Sequence, residues 1–189
     1  MTKLVVDITT SLDGFIAGTG ISNDLPMGKN GELLHHWIFK DKTELDSSIL
    51  YRLVESTGAI ILGNRMYSTA IDIAWGGVTP FAAPSIVMCH REPEKKVQGF
   101  EYITSGMHDA LLHARKQAGE KNIWIIGGAN VIQQFFKAGL VDLVNLHIAP
   151  VLMNQGTRLF DVNENELTRL KKMQVLETPG AIHINYHIK

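Results

Sequence analysis

Four bulky apolar residues, Ile123 to Ile126, run straight into Gly127-Gly128, and beyond the glycines the spacing of apolar positions changes at once. Val131, Ile132, Phe135 and Phe136 recur at helical intervals up to Gly139, so the stretch reads as a buried strand turning tightly into a helix. Such a unit commits the chain to a sheet with crossover helices, provided other strands can flank it. The runs LVVDITT (4–10), AIILG (59–63) and SIVMC (85–89) supply them. Each is apolar at consecutive rather than alternate positions, as strands covered on both faces are.

Helical patterns fill the gaps. In residues 32–56, Leu33, Leu34, Trp37 and Ile38, then Leu45, Ile49, Leu53 and Val54, fall on helical faces, with a break expected near residues 40–43. Thr43 and Asp46 resemble an N-cap pair for the second segment. In residues 105–122, Ser105 is expected to cap a helix, Asp109 to suit its first turn and Gly119 to end it. The last third differs in character, because LVNLHIAPVL and KKMQVLETPGAIHINYHIK are β-rich, and Thr178-Pro179-Gly180 predicts an antiparallel hairpin. With 189 residues and no repeat or linker, the expectation is a single domain over 1–189, an α/β fold with helices on both faces of a mostly parallel sheet and an antiparallel edge.

Composition excludes several partners. A net charge of −1 with no long basic run gives no electrostatic footprint for nucleic acid, and no stretch is apolar enough for a membrane. Cys89 is the only cysteine, which rules out an internal disulfide. The first residues lack the pattern of a secretory signal, so a cytoplasmic location is expected.

Two readings of the glycine pair stand side by side. Without Cβ atoms the backbone lets an anion approach the first N–H groups of the helix, yet the same glycines serve equally as a plain turn. Neither standard phosphate pattern decides between them. Gly128-Ala129-Asn130 stands where a Walker loop needs Gly-Lys-Ser/Thr, and the second glycine of a GxGxxG fingerprint is missing.

Four segments in register, SLDGFIAG, LGNRMY, IIGGANVIQQFF and VNLHIAPVLMNQGTRLF, resemble the dihydrofolate reductase superfamily, and most closely the reductase domain of bacterial riboflavin biosynthesis and its stand-alone relatives. The resemblance covers nearly the whole chain. It implies a three-layer α/β/α fold with a central sheet of about eight strands. It also implies NADPH as cofactor, with Ser11 among the residues that bind it, Asp13 near the nicotinamide and the pyrophosphate at Gly127, Gly128, Ala129 and Asn130. The 2′-phosphate is expected among Gly63, Asn64, Arg65, His90 and Arg91, where arginines suit bidentate phosphate binding. Met66 departs from the family at a position where many members have threonine. Asn23 and Leu25-Pro26 fit the family's mobile loop.

Around the substrate the resemblance implies less. Dihydrofolate reductases carry an acid in the first helix, whereas HHWIFK aligns His35 or His36 there. A histidine exchanges protons near neutrality, so His35, His36 and Asp13 are the candidate catalytic residues. Each has a bland alternative: a surface or structural histidine, and for Asp13 an ordinary Asp-Gly turn. Glu32 reads as a helix-start acid, and Trp75 and Phe81 either wall a flat substrate or pack a loop. His183 and His187 share a strand face about 13 Å apart, too far for one metal, so no metal site is expected. The expected function is an NADPH-dependent reductase of a small flat heterocycle or carbonyl compound, pterin-like or ribosylamino-pyrimidine-like, but not an authentic dihydrofolate reductase. Rivals are an NADP-binding protein without turnover and a purely structural protein. Relatives that pair through C-terminal strands imply a homodimer.

Overall fold

The computed structural model describes residues 2–160 and 167–189. The consecutive apolar runs become β1 (Leu4–Ser11), β3 (Thr57–Gly63), β4 (Ser85–Met88) and β6 (Asn122–Gly127), with β7 (Leu143–Ala149) following. They form one eight-stranded sheet in the order β5-β4-β3-β6-β1-β7-β10-β9, where β5 is Phe100–Ile103, β9 is Leu170–Thr178 and β10 is Ala181–Ile188. The first six strands in that order pair in parallel, and β10 and β9 complete the sheet antiparallel. The expected α/β architecture and C-terminal hairpin are therefore present. Sequence patterning does not reveal β5, whose four residues include Glu101, or a separate ribbon of β2 (Phe15–Ala17) with β8 (Thr157–Arg158). Strands this short give little periodicity to detect.

Alternation along the strands divides the core into two layers. Leu4, Val6, Ala59, Ile61, Ile123 and Ile125 face α4 (Met107–Ala118) and α5 (Ala129–Lys137). Ile60, Leu62, Val87, Trp124 and Ile126 face the other way, against Tyr67 and Ile71 at α3 (Asn64–Ala70). On that second side a 3-10 turn (Gly31–His35) leads into α1 (His36–Phe39), which buries Trp37, and then into α2 (Glu44–Ser56). The break between α1 and α2 falls where expected. Thr43 caps α2 reciprocally: its hydroxyl accepts the Asp46 N–H, and its own N–H donates to Asp46 Oδ2 at 2.8 Å.

One expected cap is corrected. Ser105 does not cap α4; the N-cap is Gly106, at φ 100°, and no side chain contributes. The chain enters the helix through a conformation open to glycine, one residue later than the serine suggested.

Candidate active site

Strands β4, β3, β6 and β1 are neighbours, and the polar and glycine-rich segments all leave from the same ends of them. From β3, α3 departs onto the face lined by Ile60 and Leu62; from the adjacent β6, α5 departs onto the opposite face. Adjacent strands whose helices diverge open a crevice at their C-terminal ends, the place where open α/β sheets bind ligands.

The glycines line this crevice. Leu62 pairs with Gly127, and a Cβ on Gly63 would lie 3.7 Å from the Gly128 nitrogen and 3.9 Å from the Gly127 carbonyl oxygen. Gly127 sits at φ 136°, a conformation side chains rarely adopt, and the bond to Gly128 is cis. A Cβ on Gly128 would meet no atom within 4 Å, so the space above it is open. Gly128 also starts α5: its carbonyl accepts the N–H groups of Val131 and Ile132, leaving those of Ala129 and Asn130 as the outward donors at the positive end of the helix. Asn130 is exposed and accepts from Gln134, while Ala129 is buried beneath the turn.

On the outer strands, Gly63 pairs with Met88, so Asn64-Arg65 and His90-Arg91 emerge side by side. All four residues are exposed, and among the described residues neither guanidinium has an ion-pair or hydrogen-bond partner. Met66 closes the inner side, with Sδ 3.8 Å from the Cβ position of Gly127.

On the inner side, β1 overhangs. Val6 pairs with Ile125, and continuing that register sets Gly127 level with Ile8, so Ser11 stands three residues beyond. Ser11 is buried and its hydroxyl accepts the Phe15 N–H. Asp13 accepts the N–H groups of Met153 and Asn154 at 3.0 and 2.7 Å. The Ser11 hydroxyl first, then those two amides, hold its carboxyl down at about 2. An acid so placed is ionised at neutral pH and fastens a loop; it is not poised to give up a proton.

The histidine pair flanks a buried anchor. His36 precedes Trp37, whose indole donates to Thr9 Oγ1 at 3.1 Å, so this short helix lies across β1 next to the glycine level. Burial holds His35 below the ordinary histidine range, opposed by the Gly31 carbonyl 3.4 Å from Nδ1. His36 is partly exposed, its Nδ1 3.9 Å from Asp41. Glu32 is exposed in the preceding 3-10 turn. Trp75 and Phe81 pack on each other and on Phe100 and Trp124, which is the loop-packing alternative. His183 is buried and His187 exposed, and among the described residues no group of three or more potential ligands is placed to hold a metal ion.

Sequence patterning also leaves unannounced a buried polar layer beside the crevice, formed by Asp7, His147, His183 and Asp46. Its only signals are Asp7, His147 and His183 inside strands otherwise rich in Val, Ile and Leu; Asp46 was legible only as the cap partner of Thr43.

Comparison with known proteins agrees with this architecture. The profile of the RibD C-terminal domain matches residues 2–184. Two Bacillus subtilis (strain 168) proteins align over almost their whole length: uncharacterized protein YyaP, 28% identical over 98% of this chain and 94% of its own, and uncharacterized protein YwjB, 26% identical over 97% of each. Among solved structures, a putative riboflavin biosynthesis protein from Shewanella sp. PV-4 superposes with a TM-score of 0.78 at 20% identity, covering 100% of this chain and 99% of that one. Dihydrofolate reductase from Enterococcus faecalis, complexed with NADP(H) and RAB-propyl, gives 0.59 at 15% identity over 98% and 96%. These structural likenesses are of fold. Among the described residues no helix is long and apolar enough to cross a membrane.

Proposed function

The chain belongs to the RibD C-terminal domain family, and from that premise we propose that it is an NADPH-dependent reductase of a small flat heterocyclic or carbonyl substrate. The observation that carries this reading is the convergence of Gly63-Asn64-Arg65, His90-Arg91 and Gly127-Gly128-Ala129-Asn130 on one crevice at three neighbouring strand ends. The residues fit a dinucleotide. The open space over Gly128 and the outward N–H groups of α5 suit the pyrophosphate, and Arg65 and Arg91, without partners among the described residues, suit the 2′-phosphate. When bound, the cofactor supplies the hydride. The chain's part is to hold the dinucleotide across the crevice beside β1 and to place the substrate near the helix that carries His35 and His36.

The first helix has no acid where dihydrofolate reductases carry one, which is why the proposal stops short of dihydrofolate. A second reading, an NADP-binding protein without turnover, is favoured by the state of Asp13, whose carboxylate is committed to two backbone amides. One experiment separates the two. NADPH at about 100 times its dissociation constant should stabilise the fold by about 2.7 kcal/mol in either case. Oxidation of NADPH in the presence of pterins, ribosylamino-pyrimidines or simple carbonyl compounds supports the reductase. Stabilisation with no oxidation supports the second reading, and no stabilisation overturns both.

We also propose a cytoplasmic homodimer. Among the described residues β9 is the last strand of the sheet, and it exposes Leu170, Met173 and Val175. Light scattering should give twice the chain mass, and Val175→Lys should return it to that of one chain.

A further inference from the structure

A cavity of about 140 Å³ lies beyond the end of β7, on the other side of β1 from β6 and the glycine crevice. Lys29 and Asn30 line one side of it, Leu33 of the 3-10 turn another, and Val151, Leu152 and Met153, in the chain that follows β7, a third. Backbone contacts fix these walls. The Gly18 N–H donates to the Met27 carbonyl and the Lys29 N–H to the Thr19 carbonyl, which closes the base of the loop that carries Lys29. A Cβ on Gly18 would run into the Lys29 carbonyl, and one on Gly156 into that of Ala17, so the loop base and the segment after β7 pack backbone on backbone. The Leu12 N–H donates to the Val151 carbonyl, and Asp13 holds the amides of Met153 and Asn154.

Two features distinguish this space from a packing gap. Left-handed backbone is uncommon outside glycine and persists where its surroundings hold it. Among the described residues of other types only Asn30 and Asn154 adopt it, at φ 59° and 61°. Asn30 lines the cavity, and Asn154 stands between its lining residues Met153 and Gln155. The lining is also divided chemically. Leu33, Val151, Leu152 and Met153 are apolar, and Leu152 is left 62% exposed. Lys29 is the one charged residue of the lining, and among the described residues its side chain and those of Thr19, Asn30 and Gln155 have no hydrogen-bond or ion-pair partner. Asp13, the acid that touches the same segment, is occupied by its two backbone amides.

Size and charge select the ligand. An apolar cavity of about 150 Å³ holds benzene, so this one takes a ring or a branched chain of similar bulk. One lysine offers a single point charge, without the planar fork or the second cation that suits a phosphate dianion. We infer that the cavity binds a small carboxylic acid, with its carboxylate on Lys29 Nζ and its carbon body against Leu33, Val151, Leu152 and Met153.

No residue of the glycine crevice lines the cavity, so the inference stands apart from the cofactor reading and is tested without nucleotide. Sodium benzoate and benzyl alcohol, of nearly equal bulk, are titrated at constant ionic strength into protein carrying carbon-13 in its methionine methyl groups, with the Met153 signal assigned from Met153→Leu. Benzoate should move that signal to saturation, and benzyl alcohol should bind at least about tenfold more weakly. Lys29 is exposed, so Lys29→Gln should fold as the parent does, weaken benzoate by about tenfold and leave benzyl alcohol unchanged. An unmoved Met153 signal, equal binding of the two probes by the parent, or full benzoate affinity in Lys29→Gln would each overturn the inference.

Discussion

The two sides of β1 are built in opposite ways. Towards β6, β3 and β4 lies an open crevice of glycines, outward helix N–H groups and exposed arginines without partners among the described residues. Towards β7 and β10 lies a closed layer where Asp7, His147 and His183 form a hydrogen-bonded chain beneath Trp37, with Asp46 Oδ1 3.1 Å from His183 Nε2. The first side leaves its outward N–H groups and guanidinium groups exposed. The second gathers polar side chains in the interior, and they are costly to separate because water cannot replace a lost partner. The contrast teaches that polar residues inside one sheet can mark either ligand binding or anchoring, and that exposure and partnering tell them apart.

Substitutions should separate the two sides. The largest expected effect is on the open side: Gly128→Val adds a side chain into empty space, so thermal stability should stay near that of the parent while NADPH affinity falls by about 100-fold or more, measured by calorimetric titration. A collapse of stability with affinity retained would reverse the assignment of that region. On the closed side, Trp37→Ala removes a side chain that is 1% exposed and should cost about 3–5 kcal/mol in urea unfolding. The folded fraction should still bind NADPH; loss of binding would join the two regions into one site.

Smaller effects sharpen the edges of the same contrast. Thr43→Ala removes half of the cap shared with Asp46 and should cost about 1 kcal/mol. Asp13, held at about 2 against an ordinary 3.8, contributes stability that is present above the ordinary value and lost as pH falls through the folded one. Carbon-13 NMR of its carboxyl should therefore show a midpoint near about 2, and a midpoint at the ordinary 3.8 would release Asp13 from its loop-fastening role.

Legibility in the sequence followed the same division. The crevice was readable because each of its parts is local: a strand, then Gly-Gly or Gly-Asn-Arg, then a helix, all close together in the chain. The Thr43 and Asp46 cap was readable for the same reason. The buried layer was not, because His147 meets partners 36 and 140 positions away, and nothing near His147 or Asp7 signals the other. Ser105 misled because serine is the commoner cap, while here the backbone enters α4 through Gly106. Strands β2, β5 and β8 exist through pairing rather than pattern. The roles of His35 and His36 rest on alignment to a helix whose acid is missing, so geometry narrows them only to a place beside Trp37.

If the open crevice reads the phosphates of NADPH, as proposed, a paired titration exposes it. Calorimetric titration of NADPH and NADH into the parent and into Arg91→Ala should show NADPH binding the parent at least about tenfold tighter than NADH, with that preference reduced in the variant. Equal affinity for the two nucleotides in both proteins would contradict it.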